Sequence, residues 1–190
     1  MNGKLIVFSA PSGAGKTTVI RHLLESDLPF EFSVSATSRA IRGGEKDGKD
    51  YYYLPLDVFK KKIAENCFLE WEEVYQNQFY GTLFSEIERI WAKGHHVLFD
   101  VDVFGALNIK KKYPQRSLSI FLMPPSLEIL KQRLLERGTE TEESFNERKE
   151  KAEYELTFAD KYDKIIVNDD LKDAQRETYN TVRDFLMKPL

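Results

Sequence analysis

The stretch "LIVFS" (Leu5–Ser9) is apolar almost without interruption and runs straight into proline and glycine. A strand with one face in water alternates polar and apolar residues. An unbroken apolar run marks a strand covered on both faces, as in a parallel sheet flanked by helices. Three later runs resemble it: "HVLFDV" (His96–Val101), "SLSIFLM" (Ser117–Met123) and "KIIVN" (Lys164–Asn168). Each is followed by a helix-like segment. A helical pattern runs from Lys16 to about Glu25, with Val19, Ile20, Leu23 and Leu24 apolar. Leu127, Leu130 and Leu134 repeat at helical spacing over Leu127–Arg137, before Gly138. Leu171, Ala174, Val182, Phe185 and Leu186 stripe a helix over Leu171–Met187. Strand–helix alternation of this kind predicts an α/β fold with a parallel sheet core.

Residues 33–84 break that rhythm with short alternating pieces, glycine turns and many polar residues. "VFKKKIAEN" reads as a short helix and "FLEWEEV" as a strand. The expectation is an inserted subdomain with its own mixed sheet. Residues 137–158 are charged and helical with a thin apolar stripe, and Thr139 and Glu142 have capping-box spacing. A weakly apolar helix of this kind suits a lid. One domain over residues 1–190 is expected, with core 1–32, 85–125 and 160–190, subdomain 33–84 and lid about 126–159. The 190 residues suffice for a substantial core.

Between the first strand and first helix lies "APSGAGKTT", residues Ala10, Pro11, Ser12, Gly13, Ala14, Gly15, Lys16, Thr17 and Thr18. A loop in this position presents backbone N–H groups to anionic oxygen, assisted by the helix dipole. Gly13 and Gly15 permit the tight curve. Lys16 would reach the terminal phosphates and Thr17 would coordinate Mg²⁺. The pattern departs from the phosphate-loop consensus at Ala10, where glycine is usual. That matters only if the position needs a positive φ. Asp100 ends an apolar strand, as does the carboxylate that holds hydrated Mg²⁺ in P-loop enzymes, and Asp102 follows two residues on. Both could equally be turn or N-cap residues.

The net charge of −3 argues against a chain whose main task is nucleic-acid binding. The Lys60–Lys62 and Lys110–Lys112 runs read as solvated helix faces. The lone cysteine, Cys67, reads as a buried structural residue. His22, His95 and His96 do not fall into metal-ligand spacing. "KLIVFS" is too short for a signal or membrane segment, so cytoplasm is expected, with no membrane partner. The oligomeric state stays open.

The subdomain offers groups for a phosphorylated second ligand. Arg39 and Arg42 flank a turn, and guanidinium forks suit a phosphomonoester. Tyr51 and Tyr80 carry hydroxyls that can donate to phosphate. Glu70 sits in an apolar–aromatic stretch and could accept two N–H donors from one base edge, as guanine presents. Read singly, the arginines could be a solvated loop and the tyrosines a strand face.

Taken in order, "SVSATSR–IR–GE–DG–DYYYL", "FLEW", "YGT", "LFDVDV–GA", "RGTETEES–N–R" and "VNDD" closely resemble the guanylate kinase family over nearly the whole chain. The resemblance implies transfer of the γ-phosphate of ATP to GMP, and to dGMP, with Mg²⁺ on the nucleotide, as a step of purine nucleotide metabolism. It implies GMP-phosphate ligands at Arg39, Arg42, Tyr51 and Tyr80, and guanine contacts at Ser35, Glu70, Thr82 and Asp102. Arginines stabilising the transferring phosphoryl fall on Arg133, Arg137 and Arg148, with Lys16. Asn168 falls on the adenine side. Phe104 stands where many members carry glutamine. Rival readings are a non-catalytic guanylate-kinase-like binding module and another P-loop small-molecule kinase. The first is disfavoured by the intact Lys16 and lid arginines, the second by the guanine-side set.

Overall fold

The computed structural model describes residues 3–135 and 142–189. The first strand, β1 (Leu5–Ser9), is buried along its whole length and leads through the glycine loop into α1 (Lys16–Leu24). After β2 (Phe30–Phe32) come β3 (Ala36–Thr37), β4 (Tyr52–Tyr53), α2 (Leu56–Ala64), β5 (Phe68–Tyr75), β6 (Gln78–Leu83) and α3 (Phe84–Ala92). The chain continues through β7 (His96–Asp100), α4 (Val103–Lys112), β8 (Ser117–Met123), α5 (Leu127–Leu135), α6 (Glu142–Leu156), β9 (Lys164–Val167) and α7 (Leu171–Met187).

Two sheets result. The first has five strands in the order β2-β7-β1-β8-β9. Its β2–β7 and β8–β9 pairs are parallel. The bonds Val97 N–H to Lys4 O and Val101 N–H to Phe8 O advance together along both strands, as parallel pairing of β7 with β1 requires. This is the α/β core that the four apolar runs predict. The second sheet has four strands in the order β4-β3-β6-β5. It mixes a parallel β3–β4 pair with antiparallel β3–β6 and β5–β6 pairs.

By packing, the chain divides into two units. One comprises residues 1–5 and 29–99, the other residues 6–28 and 100–190. The first unit holds the mixed sheet. Its core is Ala36, Phe59, Phe68 and Phe79, with Tyr52, Leu54, Leu56, Ile63 and Leu83 around it. Phe59 stacks on Phe68 at 4.4 Å between ring centroids. Truncating so enclosed a ring would cost about 3–5 kcal/mol.

The second unit holds the glycine loop. Val103, Ala106 and Ile109 of α4, Ile120, Phe121 and Leu122 of β8, and Ile166 of β9 are buried there. Helix α7 buries Ala174, Thr178 and Val182, one face at i, i+4 and i+8, and Asp170 caps it by accepting from Asp173 N–H at 3.0 Å. Leu171, expected on that stripe, is exposed because it occupies the first helical position. On α6 the thin stripe reduces to Ala152 and Phe145, packed on Leu130 of α5. Thr139 lies outside the described residues.

Two further expectations are corrected. Cys67 is only half-buried. Lys110 is no solvated face residue: its Nζ donates to Pro114 O and Ser117 O, and pairs with Asp163 at 2.8 Å. Asp163 in turn accepts from the Ser119 N–H and hydroxyl, tying α4 to β8. Among the described residues no helix is long and apolar enough to cross a membrane.

Candidate active site

The loop between β1 and α1 turns on Gly13 and Gly15, at φ 93° and 90°, where only glycine sits without strain. Ala14 N–H closes a turn onto Pro11 O at 3.1 Å. No side chain caps α1, and its first turn contains no acidic residue. The positive end of the helix is therefore uncompensated from within the helix, as an anion site requires. Ala10 is a benign departure from glycine. Among the described residues only Asn66 and Asn77 combine a side chain with positive φ, so Ala10 has backbone angles any residue adopts. Its methyl is buried.

Lys16 Nζ pairs with the Asp100 carboxylate and donates to Val101 O at 3.4 Å. Asp100 thus ends β7 beside the loop lysine, while Asp102, two residues on, caps α4. Its Oδ1 accepts from Gly105 N–H at 2.7 Å. The two carboxylates, ambiguous in the sequence, have separate duties. Thr17 and Thr18 stand exposed on the first turn of α1.

Asn168, expected near adenine, is buried and braces the loop: its Nδ2 donates to Ala14 O at 2.7 Å. A Cβ on Gly15 would collide with that amide. Arg133 Nη2 donates to Asn168 O at 3.2 Å, so α5 is linked to the loop through one residue. Arg148 is exposed on α6, and Arg137 lies outside the described residues. Phe104 packs edge-on against Phe158 at 5.3 Å and near Tyr154 at 6.3 Å, an aromatic cluster where a glutamine would bring an amide.

Glu155 carries no signal in the sequence. It is buried on α6, and burial pushes its carboxyl up against the opposing pull of Lys151 and Lys16. Its acidity is also reduced by the Asp102 carboxylate.

In the other unit, the second cluster is built from side chains. Arg39 forms a two-pronged pair with Glu45, Nη1 to Oε2 and Nη2 to Oε1, both at 2.7 Å. Its Nε donates to Tyr80 Oη at 3.1 Å, and its guanidinium lies 5.1 Å from the Tyr51 ring centre. Tyr51 and Tyr80 meet edge to face at 5.8 Å. Glu45 also accepts from the Tyr53 hydroxyl and from Arg42 N–H, each at 2.8 Å. Arg39 above all, then the Arg42 N–H, hold the Glu45 carboxyl down at about 2. Arg39, Tyr51 and Tyr80 are brought together. Arg42 joins through its backbone, and its side chain is exposed. Glu45 and Tyr53 were missed, although an acid three residues after Arg42 was visible.

Strands β5 and β6 set the pair Glu70 and Thr82, expected on the guanine side. Their register puts Glu70 opposite Thr82, and the Thr82 hydroxyl donates to Glu70 Oε1 at 2.6 Å. Both residues are buried. Gly81 allows this approach, because a Cβ there would lie 2.6 Å from Glu70 O and 2.8 Å from Trp71 Cβ. Ser35, half-buried, accepts from Tyr52 N–H at 2.9 Å through its carbonyl.

A parallel sheet whose first strand ends in a two-glycine loop, with a lysine opening the next helix, defines a P-loop phosphate-binding α/β protein. The sequence model of the family described as guanylate kinase matches residues 2–188. This chain belongs to the guanylate kinase family. It is 52% identical over 188 residues to the guanylate kinase of Bacteroides thetaiotaomicron, covering 99% of this chain and 92% of the relative. To that of Porphyromonas gingivalis it is 48% identical over 186 residues, covering 97% and 99%. The crystal structure of guanylate kinase from Anaplasma phagocytophilum superposes with a TM-score of 0.76 at 30% identity, covering 98% of this chain and 88% of that one.

Proposed function

We infer that this protein transfers the γ-phosphate of ATP to GMP, giving ADP and GDP. Family membership over nearly the whole chain supports the activity. The observation that carries catalysis, beyond mere binding, is the intact donor loop: an uncapped α1 with Lys16 held at the end of β7 by Asp100. A module that only bound guanine nucleotides would have no use for that lysine.

In the proposed reaction the loop amides and Lys16 hold the ATP phosphates, with Asn168 keeping the loop in shape. Arg39, Arg42, Tyr51 and Tyr80 hold the GMP phosphate, and Ser35, Glu70, Thr82 and Asp102 read guanine. A GMP phosphate oxygen attacks the γ-phosphorus in line as the bond to the ADP oxygen breaks. Lys16, Arg133, Arg137 and Arg148 spread the charge that moves onto the leaving oxygen. The exposed Thr17 hydroxyl and the Asp100 carboxylate, acting through water, form an all-oxygen donor set that fits Mg²⁺. Among the described residues no three acidic, histidine or cysteine side chains converge on a metal position, which suits an ion carried mainly by the nucleotide. Mg²⁺ would supply charge neutralisation across the β- and γ-phosphates.

By the same family reading, dGMP is also an acceptor. Residues 33–84 act as the acceptor subdomain and about 126–159 as the lid on the remaining core, whose closure keeps water from the γ-phosphate. The substrates are small molecules of the cytoplasm, with no nucleic-acid or membrane partner. The test is ADP release from ATP and Mg²⁺ with GMP, AMP, CMP or UMP supplied in turn. Turnover is expected with GMP alone; none with GMP would overturn the reading.

A further inference from the structure

One buried carboxylate in the first unit has no place in that mechanism. Glu86, in the first turn of α3, has a side chain only 1% exposed. Its two oxygens accept four hydrogen bonds. Oε1 accepts from Val34 N–H at 3.1 Å and Arg89 Nη2 at 2.8 Å. Oε2 accepts from the Tyr52 hydroxyl at 3.0 Å and Arg89 Nε at 2.9 Å. Arg89 is itself held by Glu31 of β2, Nη1 to Oε2 at 3.0 Å, and Glu31 also takes Lys93 and His95.

Each segment that Glu86 grips adjoins a residue assigned to the acceptor. Val34 precedes Ser35, Tyr52 follows Tyr51, and Glu86 itself lies four residues beyond Thr82, where β6 passes into α3. An apolar staple at this point would stabilise the unit as well as an ion pair does, since burying a carboxylate and a guanidinium is costly. What the charged pair adds is direction. An N–H and an O–H are each held at a fixed distance and angle, and the bidentate guanidinium fixes the carboxylate plane.

We propose that Glu86 is a positioning residue for the acceptor nucleotide, setting the guanine end at Ser35 and Thr82 and the phosphate end at Tyr51 in one register while touching no substrate itself. Burial alone would raise its carboxyl, but Arg89, the Val34 amide and the Tyr52 hydroxyl outweigh burial and hold it ionised. The proposal rests on the acceptor assignments made above.

The experiment measures kcat, KM for GMP, KM for ATP and thermal midpoint for the parent, Glu86→Gln and Tyr52→Phe. Glu86→Gln replaces charge-assisted bonds by weaker ones and turns one oxygen into a donor facing Arg89 or Val34. KM for GMP should rise about tenfold. Tyr52→Phe removes a single bond and should raise it about threefold. In both, kcat and KM for ATP should stay within about twofold. A merely structural role would lower the thermal midpoint and leave KM for GMP unmoved, and that result in a folded variant overturns the proposal. So would equal rises for both substrates. Tyr52→Phe decides alone if Glu86→Gln does not fold. Parent turnover of GMP is read first. Its absence overturns the function and this assignment together, whereas an active parent with unaffected variants overturns only the assignment.

Discussion

The glycine loop and the Arg39 cluster are both assigned to phosphate, and they are made in opposite ways. The loop is a backbone device. Two left-handed glycines, an uncapped helix and one amide brace from Asn168 aim main-chain donors at a point. The Arg39 cluster is a side-chain device, in which a guanidinium fork, three tyrosines and Glu45 hold one another by hydrogen bonds and ring contacts. A backbone site tolerates changes in side chains but not in φ. A side-chain site tolerates changes in the chain path but not in functional groups. The contrast says where each should break.

The largest effect should come from Lys16→Ala. On the donor side this removes the loop's own cation from the terminal phosphates, so kcat should fall about 10³-fold while calorimetric GMP affinity stays within about twofold. Comparable losses of both would erase the separation of the two sites. Next, Glu70→Gln strikes a functional group on the acceptor side. GMP turnover, as kcat/KM, should drop about 10²-fold, with AMP still not turned over when the two acceptors are supplied together. Asn168→Ala takes the brace from the loop and leaves the buried Ala14 carbonyl unpaired. About 1–3 kcal/mol of stability should be lost in urea unfolding, with KM for ATP raised more than KM for GMP.

A smaller effect concerns acid. The Arg39 fork and the Arg42 amide hold Glu45 at about 2, well below the usual carboxylate range. Its contribution to stability is therefore fully present above about pH 4.5, where an unfolded glutamate is ionised, and disappears as pH falls towards 2. Glu31 behaves alike: burial raises it, but Lys93, His95 and Arg89 prevail and bring it to about 2. Glu45→Gln should lower the neutral plateau of a pH–stability curve and flatten its acid limb between pH 4.5 and 2, so that variant and parent converge in acid. A curve identical to the parent's would show that the Arg39–Glu45 pair is not formed in solution. Smallest of all, Ala10→Gly would restore the usual loop residue. Because Ala10 lacks positive φ, the change should destabilise by only about 0.4–1 kcal/mol, through added freedom of the unfolded chain. A gain in stability would mean that the loop is strained at this position.

The same contrast explains what could be read from the sequence. Ser117–Met123 and Leu171–Met187 have the bounds that their apolar spacing suggests, and α1 starts at Lys16, because strand burial and helix stripes are local patterns. The loop is local too. Glu45 sits six residues from Arg39, but pairing needs a turn whose shape no periodicity encodes. Glu86 reaches Val34 across 52 positions, and Lys110 reaches Ser117 and Asp163 by folding of a kind that composition does not reveal. A lysine run therefore looked solvated although one member is engaged. Beyond Glu70, the set assigned to guanine came only through family resemblance. Nothing in "FLEW" and "YGT" alone states that β5 and β6 align Glu70 with Thr82.

That alignment depends on a residue with no chemistry of its own. Gly81 lies between Tyr80 and Thr82, and any side chain there would strike the backbone of the neighbouring strand. In a saturation library selected for growth on the enzyme's activity, Thr82 should accept serine and Tyr80 some aromatic replacements, whereas position 81 should return glycine alone. Lineages of this chain can then drift in what they recognise sooner than in the hydrogen atom that lets two strands meet.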